Sequence, residues 1–177
     1  MNIPKQIILH CSATPEGKPF DAADIDRMHK QRGFKKIGYH YVIKLDGTVE
    51  NGRSEKENGA HCVGHNSKSI GICYIGGIAK DGKTSKDTRT KEQKEALYKL
   101  VESLLIKYDL TIDDVHGHYE FANKDCPCFK IETFRKEFNE WRGKRKTMLL
   151  TTDGDKNSLK NKILSIVLKI IDYFLKK

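Results

Sequence analysis

Two short apolar runs, residues 6–10 (QIILH) and 69–76 (SIGICYIG), constrain the fold most. Each has the length of a strand. The second is rich in β-branched and aromatic residues, and both read as strands buried in a core. Such strands need cover, and the sequence supplies it as helices. Residues 21–32 open on Asp21, place Ile25, Met28 and His29 on one face, and stop at Gly33. A second helix starts at a Thr90 cap, with Glu92 and Gln93 in its first turn. It runs to about residue 108 with Leu97, Leu100, Val101, Leu104 and Leu105 at helical spacing. Residues 39–44 and 48–50 flank Leu45-Asp46-Gly47 as a hairpin, residues 111–117 read as a strand, and residues 131–141 as a last helix. The alternation predicts an α/β domain (also classed α+β): a central mixed β-sheet flanked by helices on both faces.

At 177 residues the chain has room for one domain and a short appendage. Its charge divides the same way. The net charge is +9, but residues 1–142 carry 24 basic against 21 acidic groups, whereas residues 143–177 carry 9 against 3. The expected organisation is therefore a domain over 1–142, a linker over 143–158, and a basic amphipathic helix over 159–177. That helix has apolar residues at 159, 163, 166, 167, 170, 171 and 174. Lys169 and Asp172 interrupt its apolar stretch, so it does not read as a membrane span. Its face suits self-association or packing, or else engagement of an anionic membrane surface. Nucleic acid is not the expected partner, because the basic residues are not interleaved with aromatics.

The opening MNIPKQIILHCSATP lacks the long apolar core and cleavage site of a secretory leader, which predicts synthesis in the cytoplasm. The five cysteines, Cys11, Cys62, Cys73, Cys126 and Cys128, lack the spacing of a disulfide framework and read as reduced. Three positions offer metal ligands near strand ends and in a loop: His10, His118 and Cys126. Two His and one Cys with an open fourth position would suit a hydrolytic Zn²⁺. Spacing alone leaves Cys128, His61, His65 and His116 equally available.

The local motifs narrow the choice. HCSAT at 10–14, GYHYVIKLDGTVENGR at 38–53, GAHCVGHN at 59–66, SIGICYIGG at 69–77 and GHYEFANKDCP at 117–127 occur in that order. Together they closely resemble the zinc-dependent N-acetylmuramoyl-L-alanine amidases of the phage T7 lysozyme type, relatives of the animal peptidoglycan-recognition proteins. The resemblance covers roughly residues 5–142. It implies that His10, His118 and Cys126 bind Zn²⁺, that Tyr39 and Lys124 form the catalytic pair, and that His61 lines the cleft and contacts substrate. It further implies hydrolysis of the amide between the lactyl group of N-acetylmuramic acid and L-Ala in bacterial peptidoglycan. The setting would be a phage or prophage endolysin acting on the cell wall after release. The competing classes are a peptidoglycan-binding module without catalysis and a membrane-active protein acting through its C-terminal helix.

Two departures from the family pattern stand out. Cys126-Pro127-Cys128 replaces the common CPG or CPS, so Cys128 could compete for metal or oxidise with Cys126. His116, two residues before His118 on an expected strand, shares its face and is a substitute ligand by alternation. Cys11, next to His10, should point to the opposite side and pack in the core. If a carboxylate base is used, Glu50 and Glu120 are the first candidates.

Overall fold

The structure, a computed structural model, describes residues 2–145 and 147. The chain divides into two compact units, residues 1–135 and 136–177. The expected helix over 159–177 and most of the 143–158 linker lie outside the described residues.

In the first unit, β1 (Gln6–Cys11) and β5 (Ser69–Tyr74) lie side by side in parallel, Gln6 opposite Ser69 and His10 opposite Cys73. Both runs are almost wholly buried, as their unbroken apolar character requires. With β3 (Tyr41–Ile43), β4 (Val49–Asn51) and β7 (Val115–Gly117) they form a sheet in the order β4-β3-β5-β1-β7. The β3–β4 pair is antiparallel and the other pairs are parallel. The hairpin therefore sits at one edge of the mixed sheet. A separate pair of two-residue strands, β2 (Thr14–Pro15) and β6 (Gly77–Ile78), had no signal in the sequence. Two residues are too short for a periodicity to register.

Helices cover both faces. α1 (Ala22–Gln31) is closed at its start by a reciprocal Asp21–Asp24 capping box, and its Ile25 packs with Val42 and Ile75. Alternation sends the neighbours Tyr41 and Ile43 to the opposite face. There α2 (Lys91–Tyr108), capped by Thr90 and Gln93, supplies Tyr108, whose hydroxyl shares the Glu55 carboxylate with Tyr41. Gln93 Nε2 donates to the Ile43 and Ile75 carbonyls, fastening the first turn of α2 to the sheet. A third helix, α3, spans residues 131–145, longer than the expected 131–141. Within the second unit, Phe138 stacks on Trp141 at 5.8 Å, and the Arg145 guanidinium lies 4.7 Å from the Trp141 ring centre. Residues 111–117 are only partly a strand, because Ile112–Asp114 forms a 3-10 turn before β7.

His40 joins the hairpin to the centre of the sheet. Its buried ring accepts the Gly71 N–H at Nδ1 and donates from Nε2 to the Glu57 carbonyl. The accepted bond requires a neutral ring, and burial lowers the His40 pKa. His40→Ala is expected to cost about 1–3 kcal/mol, because it strands the buried Gly71 N–H and removes the bond to the Glu57 carbonyl. The unfolded chain takes up the proton first, near its ordinary value of 6.5. Stability is therefore full above that pH and falls as the pH drops toward the lower folded pKa. Urea unfolding from pH 7.5 to 5 should show this slope, and a His40→Gln protein should show a shallower one.

Candidate metal centre

His10 is the next-to-last residue of β1 and, in register with Cys73 and Val42, lies on the α1 side of the sheet. His118 opens a 3-10 turn directly after β7, the strand beside β1. Cys126 comes from the following loop, which is fastened at several points. Tyr119 N–H donates to the Cys126 carbonyl at 2.8 Å, Tyr74 Oη to the Pro127 carbonyl at 2.8 Å, and Cys128 N–H to the Asp125 carbonyl at 2.6 Å. The result places one ligand atom from each of His10, His118 and Cys126 within 4.8 Å of one another.

A chain of hydrogen bonds sets the proton on His10. Ser69 Oγ donates to the His65 carbonyl at 2.8 Å, so toward His61 it can only accept. His61 Nε2 lies 3.4 Å from that oxygen and therefore carries its proton. His61 Nδ1 is then the acceptor for His10 Nε2–H at 3.0 Å. His10 Nδ1 is left bare, 3.7 Å from Cys126 Sγ. Burial, and then the neighbouring His61, push the His10 pKa well down, so the ring stays neutral and ready to ligate. Burial likewise lowers the His61 pKa, to about 3, and lowers that of His118. The His61 ring occupies space that only glycines leave. A Cβ on Gly59 would fall 2.4 Å from it, and one on Gly71 2.5 Å. Cys126 Sγ also accepts the Cys11 N–H at 3.3 Å, a bond that suits a thiolate.

Beside this cluster opens a pocket lined in part by His29, Arg32, Tyr39, His61 and Lys124. Tyr39 stands two residues ahead of β3, its ring centre 5.0 Å from that of His10. Burial raises the Tyr39 pKa well above the phenol range, with the Cys73 and Cys126 thiols adding to it, so the hydroxyl keeps its proton. Lys124 is exposed and lines the same pocket. His61 lines it too, while also contacting His10.

The substitutes suggested by spacing are occupied elsewhere. β7 ends at Gly117, so strand alternation no longer relates His116 to His118. His116 Nδ1 instead meets Glu120 Oε2 at 2.9 Å. The other Glu120 oxygen accepts the Gly117 N–H. Glu50 accepts the Ala22 N–H at the start of α1 and pairs with Lys44. Neither carboxylate is among the residues lining the pocket. His65 packs against Phe121 with ring centres 3.9 Å apart. Cys128 does not join the three clustered ligands, and its sulfur lies 3.5 Å from Cys11 Sγ. Cys11 is buried as expected, but it meets a thiol rather than hydrocarbon alone. His29 was not singled out by the sequence, although its place on the apolar face of α1 was a signal that it points inward. Its Nδ1 accepts the Gly38 N–H at 2.9 Å, and its ring centre is 5.2 Å from that of Tyr39.

Residues 1–129 match the family model for N-acetylmuramoyl-L-alanine amidase. The endolysin of Escherichia phage T7 is 40% identical over 126 residues, which span 71% of this chain and 82% of that protein. Among solved structures, the N-acetylmuramoyl-L-alanine amidase LysC from Clostridium intestinale URNW superposes with a TM-score of 0.65 at 31% identity. That match covers 78% of this chain and 87% of that one. Drosophila PGRP-LB superposes with a TM-score of 0.60 at 26% identity, over 72% of this chain and 76% of its own.

Proposed function

Because the chain belongs to the N-acetylmuramoyl-L-alanine amidase family, we propose that it cuts the lactyl–L-Ala amide of peptidoglycan with the help of Zn²⁺, as a phage or prophage endolysin. The observation that carries the zinc reading is the ligand cluster of His10, His118 and Cys126. Two ligands at tetrahedral angles around zinc, with Zn–N about 2.0–2.1 Å and Zn–S about 2.3 Å, would stand ~3.6 Å apart. The Cys126 Sγ to His10 Nδ1 distance of 3.7 Å fits. So does the donor chemistry: two neutral imidazoles and one thiol, with His10 Nδ1 freed of its proton by the Ser69–His61 chain.

When bound, the ion would supply Lewis acidity and lower the pKa of a water to about 7. The rest is assigned to the chain. His61 is a positioning residue that holds His10 in one tautomer. Lys124 brings a mobile ammonium to the mouth of the pocket, where the carbonyl oxygen of a cleaved amide gains negative charge. Tyr39, with its proton retained at Oη, donates a hydrogen bond that orients the attacking water or the developing oxyanion.

Digestion of purified peptidoglycan tests this reading. New L-Ala amino termini should appear without new reducing sugars, and the reaction should stop with chelator and resume with Zn²⁺. New reducing sugars would make the protein a glycosidase instead, and binding without release of either product would leave a recognition module.

A further inference from the structure

Cys11 and Cys128 lie 117 positions apart in sequence, yet their sulfurs stand 3.5 Å from each other. We infer that these two thiols are a disulfide-forming site, closed by a low-molecular-weight disulfide, that ties the strand bearing His10 to the loop bearing Cys126.

Three observations converge on the pair. The first is its direct contact, with all five cysteines free in this structure. The second is the backbone. Cys128 holds a φ of 69°, a left-handed conformation that disfavours any residue with a Cβ, and that conformation aims its side chain at Cys11. The third is the space above the pair. Gly77 has a φ of 101°, and a Cβ there would fall 2.5 Å from Cys11 Sγ and 3.4 Å from Cys128 Sγ. A glycine therefore leaves both sulfurs the room they occupy.

The alternative partner is Cys126, whose Sγ accepts the Cys11 N–H. Its sulfur is the one turned toward His10 and His118, so with metal bound it is engaged. Joining Cys11 to Cys128 leaves Cys126 in place as a ligand and staples its loop.

The chemistry balances as two thiol–disulfide exchanges with oxidised glutathione. Contact with Cys11, and then burial, raise the Cys128 pKa, and contact with Cys126 raises that of Cys11, so the exchange is slow. The half-buried Cys128 gives its proton to solvent, attacks one glutathione sulfur and releases the first glutathione thiolate. Cys11, as thiolate, then attacks the Cys128 sulfur of the mixed disulfide and releases the second. The two protein thiol protons end on the two glutathiones. One protein disulfide has formed, and the glutathione disulfide has been reduced.

The test uses the full chain, reduced, loaded with Zn²⁺, and incubated overnight with oxidised glutathione. Peptide mapping without reductant should find Cys11 linked to Cys128, and the titratable thiols of the denatured protein should fall from five to three. Zinc content should not change, and the melting temperature should rise by about 5–10 °C, since the link closes most of the chain into one loop. The same treatment of Cys128→Ser should give no such rise. A linkage through Cys126, expulsion of zinc, glutathione adducts that never resolve, or an equal rise in Cys128→Ser would each overturn the assignment.

Discussion

Replacing Cys126 with alanine is expected to reduce amidase turnover by about 10³-fold or more, and to lower bound zinc from one equivalent to a small fraction of that. The magnitude follows from the role. A Lewis acid at a developing oxyanion contributes several kcal/mol, and each ~1.4 kcal/mol is a factor of ten in rate. The specificity follows from the geometry. Cys126 is half-buried in a loop, so losing its sulfur removes little core packing. The metal-free forms of parent and variant should therefore unfold within about 1 kcal/mol of each other. Cys128 is the obvious rescuer, but its sulfur faces Cys11 rather than the ligand cluster, so no compensation is expected. Zinc content by elemental analysis and release of L-Ala amino termini measure the two effects independently. A Cys126→Ala protein that lyses cells as fast as the parent would overturn the metal mechanism and favour activity through the basic C-terminal segment.

The parts of the fold that could be read from sequence are those decided locally. The runs that became β1 and β5, the Asp21 and Thr90 caps, and the Asp46-Gly47 hairpin each carry their signal within a few residues. The alternatives that the structure does not take up fall where a local rule met a tertiary exception. Alternation would place His116 beside His118, but the chain leaves the strand at Gly117 and Glu120 takes His116 for itself. Adjacency suggested that Cys128 would meet Cys126, but the turn through Pro127 carries its sulfur to the end of β1 instead. The two contacts that set the character of the site, His10 with His61 and Cys11 with Cys128, join residues 51 and 117 positions apart. Nothing in the spacing announces either. The ordered motifs singled out the proposed metal ligands, whereas only the fold shows that the ring of one of them, His10, is held by His61.

Lys124→Ala is expected to lower kcat by about 10²–10³-fold while leaving zinc content unchanged, the loss typical for removing one oxyanion stabiliser. The bland alternative is that Lys124 is an ordinary exposed loop lysine, in which case truncation changes stability and rate by almost nothing. Its position argues otherwise. It lines the pocket with Tyr39, His61 and His118, and its charge is among the causes that lower the pKa values of His10 and His118. A positive group beside the buried His10 and half-buried His118 imidazoles is unfavourable for any protonated ligand, but favourable for neutral ligands and for an anionic transition state. KM should move far less than kcat, because the neutral ground-state amide gains little from the ammonium. Lys124→Arg keeps the charge and should recover part of the rate, although its planar fork will not place the charge identically. Tyr39→Phe removes the other proposed donor, and the double variant should lose less than the product of the single losses if both act on one oxyanion. Steady-state kinetics on a soluble muropeptide, with metal content assayed in parallel, separates these outcomes. A Lys124→Ala enzyme within twofold of the parent kcat would return that residue to the solvent and leave charge stabilisation to the metal and Tyr39.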